Sequence, residues 1–313
     1  MQPLYVGAGG GFVAGMPENQ YTFDNPVERY PVISPDETQV PEPGLERDLQ
    51  PGADLGEDSY VGSGRLTGRK AVVTGGDSGI GAATAIAFAR EGADVAIVYL
   101  PEEEEDAQRI AGLIRDAGRT AVTIPGDLKD RAFSDEVVKR AVDELGGIDI
   151  LVNNAGKQIA TESLTDIPDD QFDHTMKTNV YAMFWLTRAA LPHLPAGATI
   201  INTTSIQAYQ PSETLVEYAT TKAAINAFTK ALAQQLAPKG IRVNAVAPGP
   251  IWTPLQVSKG QPPEAIPEFG QQTPLGRPGQ PAELAPAYVF LASPESSYVL
   301  GETLAVTGGM PTP

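Results

Sequence analysis

Residues 70–81 read Lys-Ala-Val-Val-Thr-Gly-Gly-Asp-Ser-Gly-Ile-Gly, and this stretch decides the fold. Its first five residues are typical of a short buried strand in the middle of a parallel sheet, because the run is apolar and β-branched. A glycine turn follows, and an alanine-rich segment of helical period begins directly after it. Strand, glycine turn and helix in this order predict a phosphate-binding βα unit, since the N–H groups and dipole at a helix N-terminus attract anions.

The same alternation of strand and helix continues along the chain. Apolar runs predict strands at 70–74, 94–99, 120–124, 148–153, 198–203, 241–246 and 303–306, and helical periodicity predicts helices at 82–90, 103–116, 133–145, 171–193, 215–236 and 282–291. Strands joined by helical crossovers pair in parallel and are covered on both faces. The sequence therefore predicts an α/β fold, with a single doubly wound Rossmann-type domain over residues 66–313.

The composition excludes several kinds of chemistry. The 313 residues include no cysteine and two histidines, which rules out thiol chemistry and leaves almost no room for metal clusters or Ser-His-Asp triads. The net charge of −17 disfavours nucleic acid and anionic membranes as partners. No apolar run approaches the ~20 residues of a membrane span, and residues 1–16 do not resemble a secretory signal. We expect a soluble cytoplasmic protein that holds no metal and acts on a small molecule.

Residues 1–65 differ from the rest of the chain. They contain eight prolines and eleven acidic residues against three arginines, which predicts an acidic N-terminal arm that is extended or partly disordered. Five apolar side chains in this arm favour docking on the domain or on a sister subunit: Tyr21, Phe23, Tyr30, Val32 and Ile33.

The spacing Thr-Gly-x-x-x-Gly-x-Gly at 74–81 resembles the short-chain dehydrogenase/reductase family rather than the common Gly-x-Gly-x-x-Gly pattern. Asn-Asn-Ala-Gly at 153–156 and Asp-Leu at 127–128 match the same family, and both follow predicted strands. The resemblance covers residues 62–309 and is closest to the classical branch with bacterial glucose/ribitol-type dehydrogenases and general-stress oxidoreductases. The chain departs from the family pattern at Val-Thr-Gly-Gly, 306–309, where Asp or Asn often precedes the glycines.

Ser205, Tyr218 and Lys222 are the candidate catalytic group. Tyr218 and Lys222 are four residues apart on a predicted helix and share one face, so the ammonium is expected to favour the phenolate and lower the pKa of the tyrosine. Such a tyrosine serves as general acid and base at a carbinol or carbonyl oxygen. Ser205, at the end of the fifth strand, can hydrogen-bond the same oxygen.

The resemblance implies further roles. Asn179 would support a water molecule and a proton relay, Lys222 would also hold the nicotinamide ribose, and the segment 248–253 would contact the carboxamide. The cofactor-binding residues that this implies are Gly75, Asp77, Ser78, Gly79, Ile80, Gly81, Tyr99, Asp127, Leu128, Asn154, Ala155, Gly156, Pro248, Gly249, Ile251 and Thr253, together with Tyr218 and Lys222. The aperiodic, proline-rich stretch at about 250–281 is interpreted as a lid over the substrate.

The charges near the expected adenosine ribose predict NAD rather than NADP. NADP-binding proteins commonly place Arg or Lys at the end of the second strand and in the glycine turn. Here the turn supplies Asp77 and Ser78, and Tyr99 ends the strand shortly before the acidic run at 102–106. Repulsion of a 2′-phosphate would favour NAD by about tenfold. The acidic run itself is interpreted as a solvated first turn of a helix.

The resulting prediction is an oxidoreductase that transfers hydride between a nicotinamide cofactor and an alcohol/carbonyl pair. The alternatives are a 3-oxoacyl-carrier reductase, a dehydratase or epimerase, and a nucleotide-sensing protein without turnover; sugars, polyols, steroids and small ketones all remain possible substrates. The resemblance implies a homotetramer, and two helices carry apolar residues on more than one face, at Val180, Met183, Phe184, Leu186, Ala224, Ile225, Phe228 and Leu232.

Overall fold

Seven parallel strands form one sheet at the centre of the protein. The computed structural model describes residues 19–36 and 39–312. The strands are β1 Lys70–Thr74, β2 Asp94–Tyr99, β3 Ala121–Pro125, β4 Ile150–Asn153, β5 Thr199–Thr203, β6 Arg242–Pro248 and β7 Thr303–Val306. Their order in the sheet is β3-β2-β1-β4-β5-β6-β7, and every neighbouring pair is parallel. The prediction of a doubly wound parallel sheet is confirmed.

Helices cover both faces of the sheet. They are α1 Gly79–Arg90, α2 Glu104–Asp116, α3 Arg131–Leu145, α4 Asp169–Met176, α5 Ala182–Ala190, α6 Val216–Leu236 and α7 Pro281–Ala292. Apolar side chains of α1, α2 and α7 pack on one face, while those of α3, α5 and α6 pack on the other. The five inner strands are buried on both sides, which explains why their sequences are continuous largely apolar runs rather than alternating ones.

The chain reverses its direction across the sheet between β1 and β4. Strands β2 and β3 lie on one side of β1, and the crossover after β3 returns the chain to β4 on the other side. The connections that follow the two central strands therefore run to opposite sides and leave a crevice between them. In open α/β sheets ligands bind at this point.

The long helix predicted over 171–193 is interrupted. It consists of α4, a wider π-helical turn at Lys177–Tyr181, α5 and a final 3-10 turn at Leu191–His193. Single π-turns of this kind are frequent at functional sites. The amide of Asn179, which lies in the wide turn, hydrogen-bonds to the backbone of Lys157 instead of facing solvent.

The described part of the N-terminal arm packs against the domain. Ile33 and Leu49 are buried with Trp252 and Phe269 in a third apolar cluster, separate from the two that flank the sheet. The indole N–H of Trp252 donates to the carbonyl of Pro51 at 2.7 Å. Of the predicted anchors, Ile33 is therefore buried and Tyr30 hydrogen-bonds to Asp54, whereas Tyr21, Phe23 and Val32 are exposed.

The described residues include no helix long and apolar enough to cross a membrane. The cytoplasmic location stays a prediction.

Candidate active site

A cavity of about 700 Å³ lies along the carboxyl ends of the strands, at the crevice beside β1 and β4. Most of the residues expected from the sequence line it: Gly75, Asp77, Ser78, Gly79, Ile80, Tyr99, Asp127, Leu128, Asn154, Ala155, Gly156, Ser205, Tyr218, Lys222, Pro248, Gly249, Ile251 and Thr253. Two expected residues, Gly81 and Asn179, are not part of its lining. Tyr99 is 18 positions after Gly81, the last residue of the glycine turn, and Ser205 is more than a hundred positions after it, so the fold alone brings these groups together.

The glycine turn shapes one end of the cavity. Gly75 and Gly79 have φ of +61° and +47°, a region in which a side chain is strained. A Cβ at Gly81 would overlap the carbonyl oxygen of Gly75, so Gly81 allows α1 to approach the turn instead of lining the cavity. Helix α1 starts at Gly79 and its N-terminus meets the cavity, which makes this end suitable for a phosphate.

Polar side chains hold the ends of β1 and β4 together behind this turn. The hydroxyl of Thr74 accepts hydrogen bonds from the backbone N–H groups of Asn154 and Ala155, at 2.9 and 3.0 Å. The amide of Asn154 in turn donates to the Thr74 carbonyl at 3.1 Å. The loop carrying Asn154, Ala155 and Gly156 is therefore fixed relative to the glycine turn.

Helix α6 places Tyr218 and Lys222 on the cavity wall, and Ser205 follows β5 beside them. The Lys222 ammonium lies 5.3 Å from the centre of the Tyr218 ring and donates to the carbonyl of Thr203 at 2.9 Å. All three side chains are buried. They line the cavity together with the glycine turn, so one bound molecule can contact both groups.

The pKa values of this group differ from the sequence expectation. Burial raises the pKa of Tyr218 to about 12, against a lowering contribution from its hydrogen bond with Ser205. Burial lowers the pKa of Lys222 to about 7. The prediction that Lys222 brings the Tyr218 pKa near working pH is wrong for this structure, because burial of the phenol itself raises its pKa by more than the hydrogen bond with Ser205 lowers it.

Asn179 acts behind the cavity wall. Its side-chain oxygen accepts from the N–H of Lys157 at 2.7 Å, and its amide donates to the Lys157 carbonyl at 2.8 Å and to the Thr221 hydroxyl at 3.0 Å. The structure thus shows the Asn179 side chain supporting the loop after Gly156 and the helix that carries Tyr218. A role for Asn179 in a proton relay stays a prediction.

Four buried carboxyl groups lie beside the glycine turn: Glu46, Asp77, Glu103 and Asp106. Among the residues that the structure describes, neither carboxylate oxygen of Asp77 has a hydrogen-bond partner. Burial raises the pKa of Asp77 and of Glu103, and the charge of neighbouring carboxylates raises it further. The interpretation of residues 102–106 as a solvated turn is wrong for Glu103 and Asp106. Asp106 is covered by the N-terminal arm, whose Arg47 donates to it at 3.1 Å.

No residue of the N-terminal arm was predicted to lie at the active site, yet Glu42, Pro43 and Gly44 line the cavity. Nothing in the local pattern of the arm indicates this position, because it depends on contacts with residues more than a hundred positions away. The predicted lid also lines the cavity, through Leu255, Gln256, Ser258, Gln261 and Phe269 among others. Across residues 19–36 and 39–312, no group of three His, Cys, Asp or Glu side chains is arranged to hold a metal ion.

Comparison with known proteins identifies the family. Residues 75–311 match the family model described as enoyl-(acyl carrier protein) reductase. The oxidoreductase YhxD of Bacillus subtilis (strain 168) is 59% identical over 281 residues, which cover 89% of this chain and 94% of the relative. The chain belongs to the short-chain dehydrogenase/reductase family. This short-chain dehydrogenase/reductase is also 50% identical to general stress protein 39 of the same bacterium over 283 residues, 90% of this chain and 98% of the relative, which confirms the predicted subgroup.

Other members of the family differ in the cofactor that their names or titles give. NADPH-dependent aldehyde reductase 1, chloroplastic, of Arabidopsis thaliana is 43% identical over 288 residues, 89% of this chain and 98% of the relative. A short-chain dehydrogenase from Burkholderia cenocepacia J2315, solved with NADP, is 37% identical with a TM-score of 0.73, over 78% of this chain and 98% of that one. A 3-ketoacyl-(acyl-carrier-protein) reductase from Brucella melitensis, solved with NADH, is 35% identical with a TM-score of 0.71 at the same coverage.

The cavity of this short-chain dehydrogenase/reductase fits a nicotinamide dinucleotide. The glycine turn and the N-terminus of α1 suit a pyrophosphate. The unpartnered oxygens of Asp77 are acceptors that ribose hydroxyl groups can satisfy. The cavity volume of about 700 Å³ is within the range of cofactor sites.

Proposed function

We propose that this protein transfers hydride between a nicotinamide cofactor and an alcohol/carbonyl pair, with Tyr218 as the acid and base. One observation carries the proposal: Ser205, Tyr218 and Lys222 line the same cavity as the glycine turn. A binding protein without turnover needs the turn but has no use for a buried phenol and ammonium beside it. The burial of two such groups costs free energy, which a catalytic role explains.

The roles of the three side chains follow from their positions and charges. A bound nicotinamide cofactor supplies or accepts the hydride. In carbonyl reduction the Tyr218 phenol donates its proton to the substrate oxygen, and Ser205 donates a hydrogen bond to the same oxygen. The Lys222 ammonium, 5.3 Å from the ring centre, stabilises the phenolate that forms. Burial raises the pKa of Tyr218 to about 12, which keeps the phenol proton in place for donation to the substrate oxygen.

The charges of the site support NAD as the preferred cofactor. Among the described residues that line the cavity, the basic side chains are Lys129, Lys157 and Lys222. Lys129 pairs with Asp127 at 3.4 Å, Lys157 pairs with Glu42, and Lys222 lies beside Tyr218. Lys129 and Lys157 are thus paired with carboxylates, while Asp77 and Glu103 add buried carboxyl groups to the same cavity, where they disfavour a 2′-phosphate. Relatives named or solved with NADP or NADPH point the other way, and one was solved with NADH, so the proposal of NAD rests on the side chains of this site.

The substrate is expected to be a free small molecule rather than an acyl group on a carrier protein. Acyl carriers are recognised through an acidic surface, and the net charge of −17 works against such a partner. The Brucella melitensis ketoacyl reductase keeps this alternative open to test. Comparing kcat/KM for free aldehydes, ketones and sugars with that for a 3-oxoacyl carrier thioester distinguishes them.

We also propose a homotetramer, supported by aromatic side chains on the outer faces of α5 and of the π-turn before it. Tyr181 and Phe184 are exposed in the single chain, and an edge-on contact joins Tyr181 to Trp185. Exposed aromatic clusters of this kind mark association surfaces. Light scattering at micromolar concentration should give four times the chain mass of 33.0 kDa, and a monomer mass would contradict the proposal.

Tyr218→Phe tests the catalytic proposal, because it removes the transferable proton and little else. Turnover of the best carbonyl substrate should fall by about 10²–10⁴-fold, the usual contribution of general acid catalysis, while NADH binding measured by fluorescence stays near the wild-type value. The matched control is Tyr209→Phe, which removes a hydroxyl of the same kind from a residue that does not line the cavity. Activity of Tyr218→Phe within a few-fold of the control would refute the mechanism.

A further inference from the structure

The N-terminal arm crosses the mouth of the cavity from the lid to the glycine turn. At the lid, the N–H of Val40 donates to the carbonyl of Val257 at 2.9 Å, and Glu42 forms ion pairs with Lys157 and Lys259. The next residues, Pro43 and Gly44, line the cavity. After Gly44 the arm leaves the lid and contacts the β1–α1 unit, which forms the expected cofactor site.

Glu46 makes the contact with the glycine turn. Its carboxylate oxygen Oε2 accepts a hydrogen bond from the N–H of Gly79 at 2.7 Å, and the side chain is buried. The backbone N–H of Glu46 donates to Asp106 at 3.1 Å, and Arg47 donates to the same carboxylate. One short stretch of the arm therefore connects the first residue of α1 to the first turn of α2.

This contact satisfies a group that the helix itself leaves without a partner. The first N–H groups of any helix lack intrahelical acceptors. Ser78, the residue before α1, makes no side-chain capping hydrogen bond. Glu46 supplies the acceptor from 33 residues earlier in the chain. Burial raises the pKa of Glu46 to about 7, and an unprotonated carboxyl oxygen can accept from Gly79 in either charge state.

We propose that Glu46 is a positioning residue for the cofactor: by capping α1 from the arm, it holds the glycine turn in the geometry that receives the pyrophosphate. The proposal rests on the proposed function, since it concerns the same cofactor site. Under this proposal the arm contributes to cofactor binding, although it precedes the alternating strands and helices in the sequence. Glu46 does not line the cavity and does not act on the substrate.

The test compares Glu46→Ala with Glu46→Gln in the full-length chain. Calorimetric titration with NADH should show about 2- to 30-fold weaker binding for Glu46→Ala, the range for loss of a helix cap. Glu46→Gln keeps an oxygen that can accept from Gly79 and should retain most of the affinity. At saturating cofactor both variants should keep near-wild-type kcat, because the residue acts on the turn and not on the reacting oxygen. The control is Glu105→Ala, which removes an exposed carboxylate that also pairs with Arg47.

Hydrogen exchange provides a second readout that does not depend on activity. In Glu46→Ala, peptides covering 75–84 should exchange faster than in wild type, while those covering α6 should not change. Unaltered NADH affinity and unaltered exchange in Glu46→Ala would overturn this proposal alone. Equal loss of affinity in both variants, together with faster exchange throughout the chain, would also overturn it, since that result indicates general destabilisation. A wild-type chain that binds neither NADH nor NADPH would overturn the proposed function as well.

Discussion

Glu91→Gln should strongly destabilise the protein, because Glu91 holds the C-terminal part of the arm on the end of α1. Its side chain is fully buried. One oxygen accepts from the Tyr60 hydroxyl and from the Arg65 guanidinium, both at 2.7 Å. The other accepts from the backbone N–H groups of Ser63 and Arg65, at 2.9 and 3.0 Å. Glutamine has the same size but offers one acceptor oxygen, so its NH₂ group would face N–H donors.

The magnitude follows from the charge of this buried pair. Removing one partner of a buried ion pair costs about 3–5 kcal/mol. Burial alone would raise the pKa of Glu91, but the hydrogen bonds from Arg65, Tyr60 and Ser63 lower it to about 2, against about 4.3 in an unfolded chain. A lowered pKa contributes stability that is present above pH ~4.3 and is lost as the pH falls toward ~2, here about 3 kcal/mol in all.

Urea unfolding followed by tryptophan fluorescence at fixed protein concentration measures the effect. At pH 7 the free energy of unfolding should fall by about 3–4 kcal/mol in Glu91→Gln, and at pH 3 the difference from wild type should shrink to about half, because the wild-type carboxylate has then lost much of its advantage. Glu295→Gln is the matched control, since Glu295 pairs with the same guanidinium at 3.6 Å but is 56% exposed; it should change stability by less than about 1 kcal/mol. A Glu91→Gln variant as stable as the control, or a difference that does not depend on pH, would refute this reasoning.

Three further outcomes are expected. Because burial lowers the pKa of Lys222 to about 7, kcat for carbonyl reduction should fall as the pH rises through about 7, since Lys222 then loses the charge that stabilises the Tyr218 phenolate; a kcat that stays level from pH 6 to 9 would contradict the assignment. Burial raises the pKa of Asp77 to about 7, so at pH 9 and low salt Asp77→Asn should improve kcat/KM for NADP relative to NAD by about tenfold, since it removes a charged carboxylate near the expected 2′-phosphate; an unchanged ratio would show that the ribose binds elsewhere. Leu49→Ala should weaken the packing of the arm against Trp252 by about 2–5 kcal/mol and speed proteolysis of the arm, whereas Val27→Ala, at an exposed position, should leave the cleavage rate unchanged.

Local pattern was sufficient for the strands and helices and for the order in which they occur. The apolar run at Lys70–Thr74 and the glycine turn after it predict β1 and α1 from the residues alone, because strand and helix periods are properties of adjacent positions. The same holds for the position of Tyr218 and Lys222 on one helix. Local pattern did not predict features that depend on distant residues. Nothing within residues 171–193 indicates the π-turn that places Asn179 against Lys157.

The tertiary structure alone decided which groups are buried and how they titrate. Glu103 and Asp106 read as solvated helix residues in the sequence, but both side chains are buried, and Asp106 lies under the arm. Lys222 was expected to lower the pKa of Tyr218, yet burial raises that pKa and lowers the pKa of Lys222 itself. The burial of a side chain depends on residues that are far apart in the chain. The contact between Glu46 and Gly79 likewise joins residues that are 33 positions apart. Neither burial nor such a contact can be predicted from neighbouring positions in the sequence. The sequence therefore determined the strands, the helices and the residue types of the site, whereas the fold determined the charge states of the site residues and the contact of the arm with the glycine turn.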